Sequence, residues 1–246
     1  MSAQRRVDQQ AAFILHHRPF RDTSQILDIF SQEHGKVAVV ARGSRGARSR
    51  LKGVLRPFMP LSMSWVIRSD LGTLTGAEVR GAPISLAGEA LLSGYYVNEL
   101  VLHFLHRHDP QPEVFAAYAE TVGQLAVKDA SIPALLRQFE IALLRHSGYA
   151  LNLDHESGTS QPIEPSRSYE YRMEQGAVPV QRTEGPLVFD GATLAGIAEQ
   201  RFDDPAILRS ASRLMREVVA FHLGGKELKS RKVLLEMRSG QSRARH

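Results

Sequence analysis

Between Leu61 and Ile67 the chain alternates strictly, with Leu61, Met63, Trp65 and Ile67 on one side and Ser62, Ser64 and Arg68 on the other. A period of two is the mark of a strand with one buried face. Shorter runs of the same kind surround it. Ala11, Phe13 and Leu15 alternate with Ala12, Ile14 and His16 until Pro19, which should break the run. Thr23–Ser31 is apolar and ends in the turn-like Glu33-His34-Gly35, after which Val37, Val39 and Ala41 share a face. Asp70-Leu71-Gly72 turns into a fifth segment, Thr73–Arg80. Five short strands without a helix-length apolar period predict a small β-barrel over residues 1–82. A five-stranded Greek-key barrel of the OB type is the leading form, and such barrels commonly bind single strands.

After Pro83 the spacing becomes helical, so the fold class is α+β, with a mainly α-helical domain over residues 83–246. Helices are expected over Leu86–Asp109, Glu113–Ala126 and Ile132–His146. The third has Ser131 at the N-cap, Pro133 in its first turn and Gly148 at C′. Residues 152–191 are rich in Gly, Pro, Ser and Glu, with one hairpin in which Tyr169, Tyr171 and Met173 precede Glu174-Gln175-Gly176. Asp203 and Pro205 open a further helix to Leu223, stopped by Gly224-Gly225. A basic segment, Lys226–Met237, leads to a polar tail, Arg238–His246, expected to be disordered.

Charge is unevenly spread. Residues 1–56 carry +7, residues 57–225 carry −7, and residues 226–246 carry +5. Basic ends attract a polyanion, and the acidic middle is a poor track for one. The densest cluster is Arg42, Arg45, Arg48, Arg50, Lys52 and Arg56, with no acid among them. Gly43, Ser44, Gly46, Ala47 and Ser49 separate the first four cations, giving neither helical nor strand periodicity. Small residues allow close backbone approach, and guanidinium forks suit phosphate oxygens. The segment is therefore expected to be a mobile basic loop that contacts nucleic acid.

Much chemistry is excluded. With no cysteine there are no disulfides, thiolate nucleophiles or cysteine-ligated zinc. No apolar run approaches membrane-spanning length and no signal core follows Met1–Gln10, so a cytoplasmic protein with no membrane partner is expected. Gly35-Lys36 and Gly225-Lys226 lack the rest of a P-loop, and no G-x-S-x-G or G-x-G-x-x-G occurs. His103, His106 and His108 beside Asp109 form the one metal-like group. His103 and His106 would share a helix face, but no fourth ligand is evident, so no metal or other cofactor is expected. Trp65 belongs to the core by its alternation partners; Phe20 and Phe58, flanking the loops, suit base stacking better. On the third helix, Leu135, Phe139, Ala142 and Leu143 form one apolar face, while Ile141 and Leu144 add a second beside Arg137. That pattern fits burial between neighbours or a groove that takes an apolar residue bearing a carboxylate.

Taken in order, several words resemble the bacterial recombination mediator family RecO. They are I-L-H-H-R-P-F at 14–20, T-S-Q-I-L-D-I-F at 23–30, H-G-K-V at 34–37, A-R-G-S-R at 41–45 and L-K-G-V-L-R-P-F at 51–58. G-Y-Y-V-N-E-L at 94–100, L-R-Q-F-E-I-A-L-L at 136–144, G-Y at 148–149 and G-G-K-E-L-K-S-R at 224–231 complete the set. The resemblance implies an OB domain, a helical domain and a small insert near 150–190. It also implies a non-enzymatic role: binding single- and double-stranded DNA, annealing complementary strands, engaging the tail of the single-strand-binding protein SSB, and helping RecR load RecA.

Many relatives bind zinc through two Cys-x-x-Cys pairs in the insert. Here His155–Thr159 has no cysteine, which leaves packing of residues such as Tyr169 and Tyr171 to hold it. Lys226, Lys229, Arg231 and Lys232 are expected to provide a second set of DNA-binding cations. Arg137 matches the family arginine tied to the SSB tail, which would place the tail's phenylalanine on Ile141 and Leu144. The alternative is an OB protein that binds single-stranded RNA. A nuclease lacks support, since no carboxylate cluster with metal spacing is visible.

Overall fold

The computed structural model describes residues 5–67 and 70–233; Arg68 and the tail 238–246 lie outside the described residues. Five strands, β1 (Arg5–Phe20), β2 (Ser24–Ser31), β3 (Gly35–Ala41), β4 (Leu61–Ile67) and β5 (Leu71–Val79), close in the order β1-β2-β3-β5-β4. The β1–β4 pairing seals the barrel, and β3–β5 is its parallel pair. Its interior takes alternate residues: Leu27 and Ile29, Val37 and Val39, and Leu61, Met63 and Trp65, with Ile67 packed against them. The alternation read from β4 is the observed one.

β1 is longer than expected and runs through Pro19. Beyond Ala12 it pairs with β2 alone, so Pro19 sits on an open edge where no ladder donor is lost. A register shift between Ile14 and His16 swaps the faces, turning His16 outward opposite Asp28. The Leu15 carbonyl in that shift accepts a hydrogen bond from Asn98 Nδ2 at 2.8 Å, and Asn98 Oδ1 accepts one from the Tyr118 hydroxyl at 2.7 Å. Asn98 belongs to α1 (Gly88–Phe104) and Tyr118 to α2 (Pro112–Leu125), so this buried relay ties both helices to the barrel. Phe13 and Phe30 on the outer barrel face meet Phe115 and Tyr118 at ring distances of 5.0–5.9 Å. Lys36 Nζ donates to the Leu102 carbonyl near the C-terminal end of α1. Beside it, Gly35 at φ +61° must be glycine, because a Cβ would meet the Asp109 carbonyl oxygen at 2.0 Å.

By packing, the chain forms two compact units: residues 5–130 with 228–233, and residues 131–227. The expected boundary at 82/83 falls between β5 and α1, whereas packing groups both helices with the barrel. The second unit contains α3 (Ile132–His146), β6 (Ser168–Arg172), β7 (Gly176–Val180), β8 (Val188–Asp190), α4 (Gly191–Ala198) and α5 (Pro205–His222), its sheet ordered β7-β6-β8. α3 has the expected bounds. Ser131 occupies the N-cap position, but its side chain makes no cap hydrogen bond. At the other end Gly148 adopts φ +84°, and the Tyr149 N–H reaches back to the Leu144 carbonyl at 2.8 Å, a Schellman closure.

The hairpin β6–β7 is where the tyrosines placed it. β8 and α4 were not foreseen, although Asp190 accepting from the Thr193 N–H at 2.7 Å is an ordinary N-cap. In the insert, packing of Tyr169 and Tyr171 is joined by a polar knot. The buried Glu156 carboxylate accepts from Arg167 Nη1 at 2.8 Å, the Tyr169 hydroxyl at 3.0 Å and Thr159 Oγ1 at 3.1 Å. Burial pushes the Tyr171 hydroxyl up to about 12.

Candidate nucleic-acid interface

The segment joining β3 to β4 is a ladder of turns. Gly46 N–H donates to Gly43 C=O at 3.1 Å, Ser49 N–H to Gly46 C=O at 3.0 Å, and Lys52 N–H to Ser49 C=O at 3.4 Å. Each step is three residues, and Arg42, Arg45 and Arg48 recur at the same interval, one arginine per turn. This period of three is a signal that a search for helical and strand spacing misses. Gly43 at φ +65° permits the first turn.

The ladder is anchored at both ends, which replaces the expectation of a mobile loop. The buried Ser44 donates its hydroxyl to the Ala41 carbonyl at 2.8 Å, and the Arg45 N–H donates to Thr23 C=O at 2.8 Å. At the far end Leu55 enters the barrel core, with Leu51 and Val54 against it at helical spacing. Phe58 is buried at φ +64°, so it serves as an anchor and does not present a stacking face. Phe20 is half-buried, with the Arg21 guanidinium 5.3 Å from its ring centroid. Arg21 escaped the sequence reading. Its carbonyl accepts from Arg45 Nη1 at 3.5 Å, which sets the β1–β2 turn beside the ladder.

Arg42, Arg45, Arg48, Arg50, Lys52 and Arg56 are all exposed, and among the described residues none joins an ion pair. Fixed, solvated, mutually repelling cations on one barrel end favour binding of a polyanion. The four distal cations divide between the units. Lys226 is in the second, while exposed Lys229 and Lys232 and half-buried Arg231 belong with the barrel. Over these bounds the barrel unit carries +6 in sequence and the other −3.

Arg137 on α3 has a side chain 14% exposed and pairs with Glu140 one turn on. Ile141 and Leu144 are 8% and 1% exposed. The three residues are thus brought together, but as a packed face and not as an open groove. α1 ends at Phe104, so His106 lies beyond it and does not share a helix face with His103. Among the described residues no group of three or more His, Asp or Glu could hold a metal ion, and no helix is long and apolar enough to cross a membrane.

The family model described as Recombination protein O N terminal matches residues 5–82, and Recombination protein O C terminal matches residues 86–232. The chain is similar to the DNA repair protein RecO of Nitrosococcus oceani, 44% identical over 95% of each chain. It is 42% identical to that of Dechloromonas aromatica over 96% of this chain and 99% of the relative. The protein of the same name from Photobacterium profundum is 40% identical over 92% of this chain and 95% of the relative. Barrel, helices and the ladder of cations thus sit in a chain matched almost end to end, and this chain belongs to the RecO family of DNA repair and recombination proteins.

Proposed function

We propose that this protein binds single- and double-stranded DNA through the turn ladder, anneals complementary strands, and with RecR helps load RecA on DNA covered by SSB. The observation that carries the reading is the set of six exposed cations, free of acidic partners and fixed by backbone hydrogen bonds over one end of an OB-type barrel. Annealing requires no bond chemistry. Two strands repel, and neutralising their phosphates while leaving bases accessible lowers that barrier. A cytoplasmic location accords with this work.

Contact with the SSB tail is part of the same reading. Arg137 would share its planar fork between Glu140 and the tail's terminal carboxylate. The phenylalanine would enter beside Ile141, which requires side chains over Leu144 to open.

The central test is salt dependence. With about five phosphates neutralised, log K against log salt should slope at roughly −3.5 on single strands and −4.5 on duplex. Replacing Arg45, Arg48 and Arg50 by alanine should flatten the slope by about two to three units and slow annealing measured without nucleotide or metal. An unchanged slope would move the binding surface elsewhere, and tighter binding to RNA than to DNA of the same sequence would favour the RNA alternative.

A further inference from the structure

α1 carries two attachments on one face. Phe58, two residues past the last ladder cation, packs edge-on against Tyr95 at 5.2 Å and lies so close to Gly94 that a Cβ there would meet its ring at 2.8 Å. One turn along the same face, Glu99 receives the chain's basic segment. Its carboxylate accepts from the Lys229 N–H at 3.1 Å, the Ser230 N–H at 2.9 Å and the Ser230 hydroxyl. Leu228 is buried, and the Lys232 N–H closes a helical turn on the Leu228 carbonyl at 3.2 Å. Tyr95 bears the first of these attachments and still leaves 40% of its surface exposed.

We infer that the turn ladder and the segment 228–232 form one continuous track for a single strand across α1, with Tyr95 as a base-stacking platform and Glu99 as the residue that positions the distal cations. This rests on the proposed DNA binding and adds its path. The two attachments are four residues apart on a helix, about 6 Å of rise and so roughly the span of one or two nucleotides of backbone. Cations on either side of an exposed ring are the usual composition of a single-strand groove. Glu99 itself is an acid within a DNA-binding surface, where plain electrostatics would have it weaken binding. Its three hydrogen bonds give it the opposite effect, because they hold Lys229 and Lys232 where a strand crossing Tyr95 would meet them.

The test turns on that sign. Glu99→Gln removes a negative charge, so a role limited to surface charge predicts tighter binding to a twenty-nucleotide single strand. The track predicts weaker binding, with the salt slope flattened by about 0.7 to 1.4, the loss of one or two phosphate contacts. Ser230→Ala, which changes no charge, should weaken binding in the same direction. In a chain already carrying Lys229→Ala, Arg231→Ala and Lys232→Ala, Glu99→Gln should no longer weaken it. Tyr95→Ala should cost about five- to a hundredfold in affinity for the single strand, with Tyr95→Phe close to wild type. Tighter or unchanged binding by both Glu99→Gln and Ser230→Ala would overturn the track. So would a full Glu99→Gln loss in the chain lacking the three cations. Loss of DNA binding by the ladder variant alongside any of these results would leave the broader reading standing, so the two failures are separable.

Discussion

The cations of the turn ladder and five arginines of the second unit differ in what surrounds them. In the second unit Arg137 pairs with Glu140, Arg167 with Glu156, Arg172 and Arg182 with Glu170, and Arg201 with Glu199. Along the ladder six cations stand together, and among the described residues none has an acidic partner. Paired cations spend their charge on the fold, or cancel it locally. Solvated like charges held close repel, and the ladder sustains that repulsion through backbone hydrogen bonds and buried Ser44, Leu55 and Phe58. Charge that the fold does not neutralise is available to a ligand. Two equally basic sequences can therefore have opposite uses, and the neighbouring acids separate them.

The largest expected effect concerns a paired cation. Arg137→Ala withdraws the ion pair from Glu140, whose side chain is 1% exposed, and should destabilise the protein by about 3–5 kcal/mol. Denaturant titration checks this, and a loss too small to measure would show that Arg137 is not a structural cation. The same result bears on tail binding. Arg137→Lys keeps the charge but not the planar fork, so weakened tail-peptide binding by a chain of near-normal stability would separate docking from folding. A smaller effect should follow from Arg172→Ala with Arg182→Ala. Both are exposed and share Glu170, whose carboxyl is held below its usual range first by the Arg172 hydrogen bond. Removing them should leave the salt slope of DNA binding where it was, in contrast to the ladder variant. A flattened slope would erase the distinction between paired and solvated cations.

The smallest effect is a pH dependence common to both units. Burial, followed by the positive charge of Arg5, lowers His34, which stands edge-on to Trp65 at 5.5 Å; burial also lowers His222 beside Tyr149. A histidine lowered in the folded state binds its proton more weakly than the unfolded chain does. Stability should therefore fall as pH drops through the ordinary value near 6.5 toward the lowered one. Melting temperature measured from about pH 7.5 to about 5.5 should drop less in His34→Asn and His222→Asn than in the wild type. Equal drops in all three would assign the dependence to other groups.

Legibility in the sequence followed periodicity. β4 and α3 were readable because Leu61, Met63 and Trp65 keep period two, and because a Pro near the start and a C′ glycine frame Ile132–His146. The ladder cations were readable as composition, but their turns were not, since three is neither tested period. β8 and α4 are three and eight residues long, too short to raise a pattern. The docking of Ser230 on Glu99 spans 131 residues, and no local rule relates them. Phe58 flanks a loop in the sequence, and position beside a loop says nothing of depth. Its positive φ and the glycine opposite it mark a close approach visible only in three dimensions.

A ladder whose rung is three residues long has an arithmetic of its own. Inserting one residue between Gly43 and Lys52 would rotate every later side chain out of step, moving the apolar Leu51 toward water and an arginine toward the core. Inserting three would add a rung and leave both anchors in phase. A connection between β3 and β4 built this way could be lengthened or shortened in whole rungs, one cation at a time, while the barrel beneath stays unaltered.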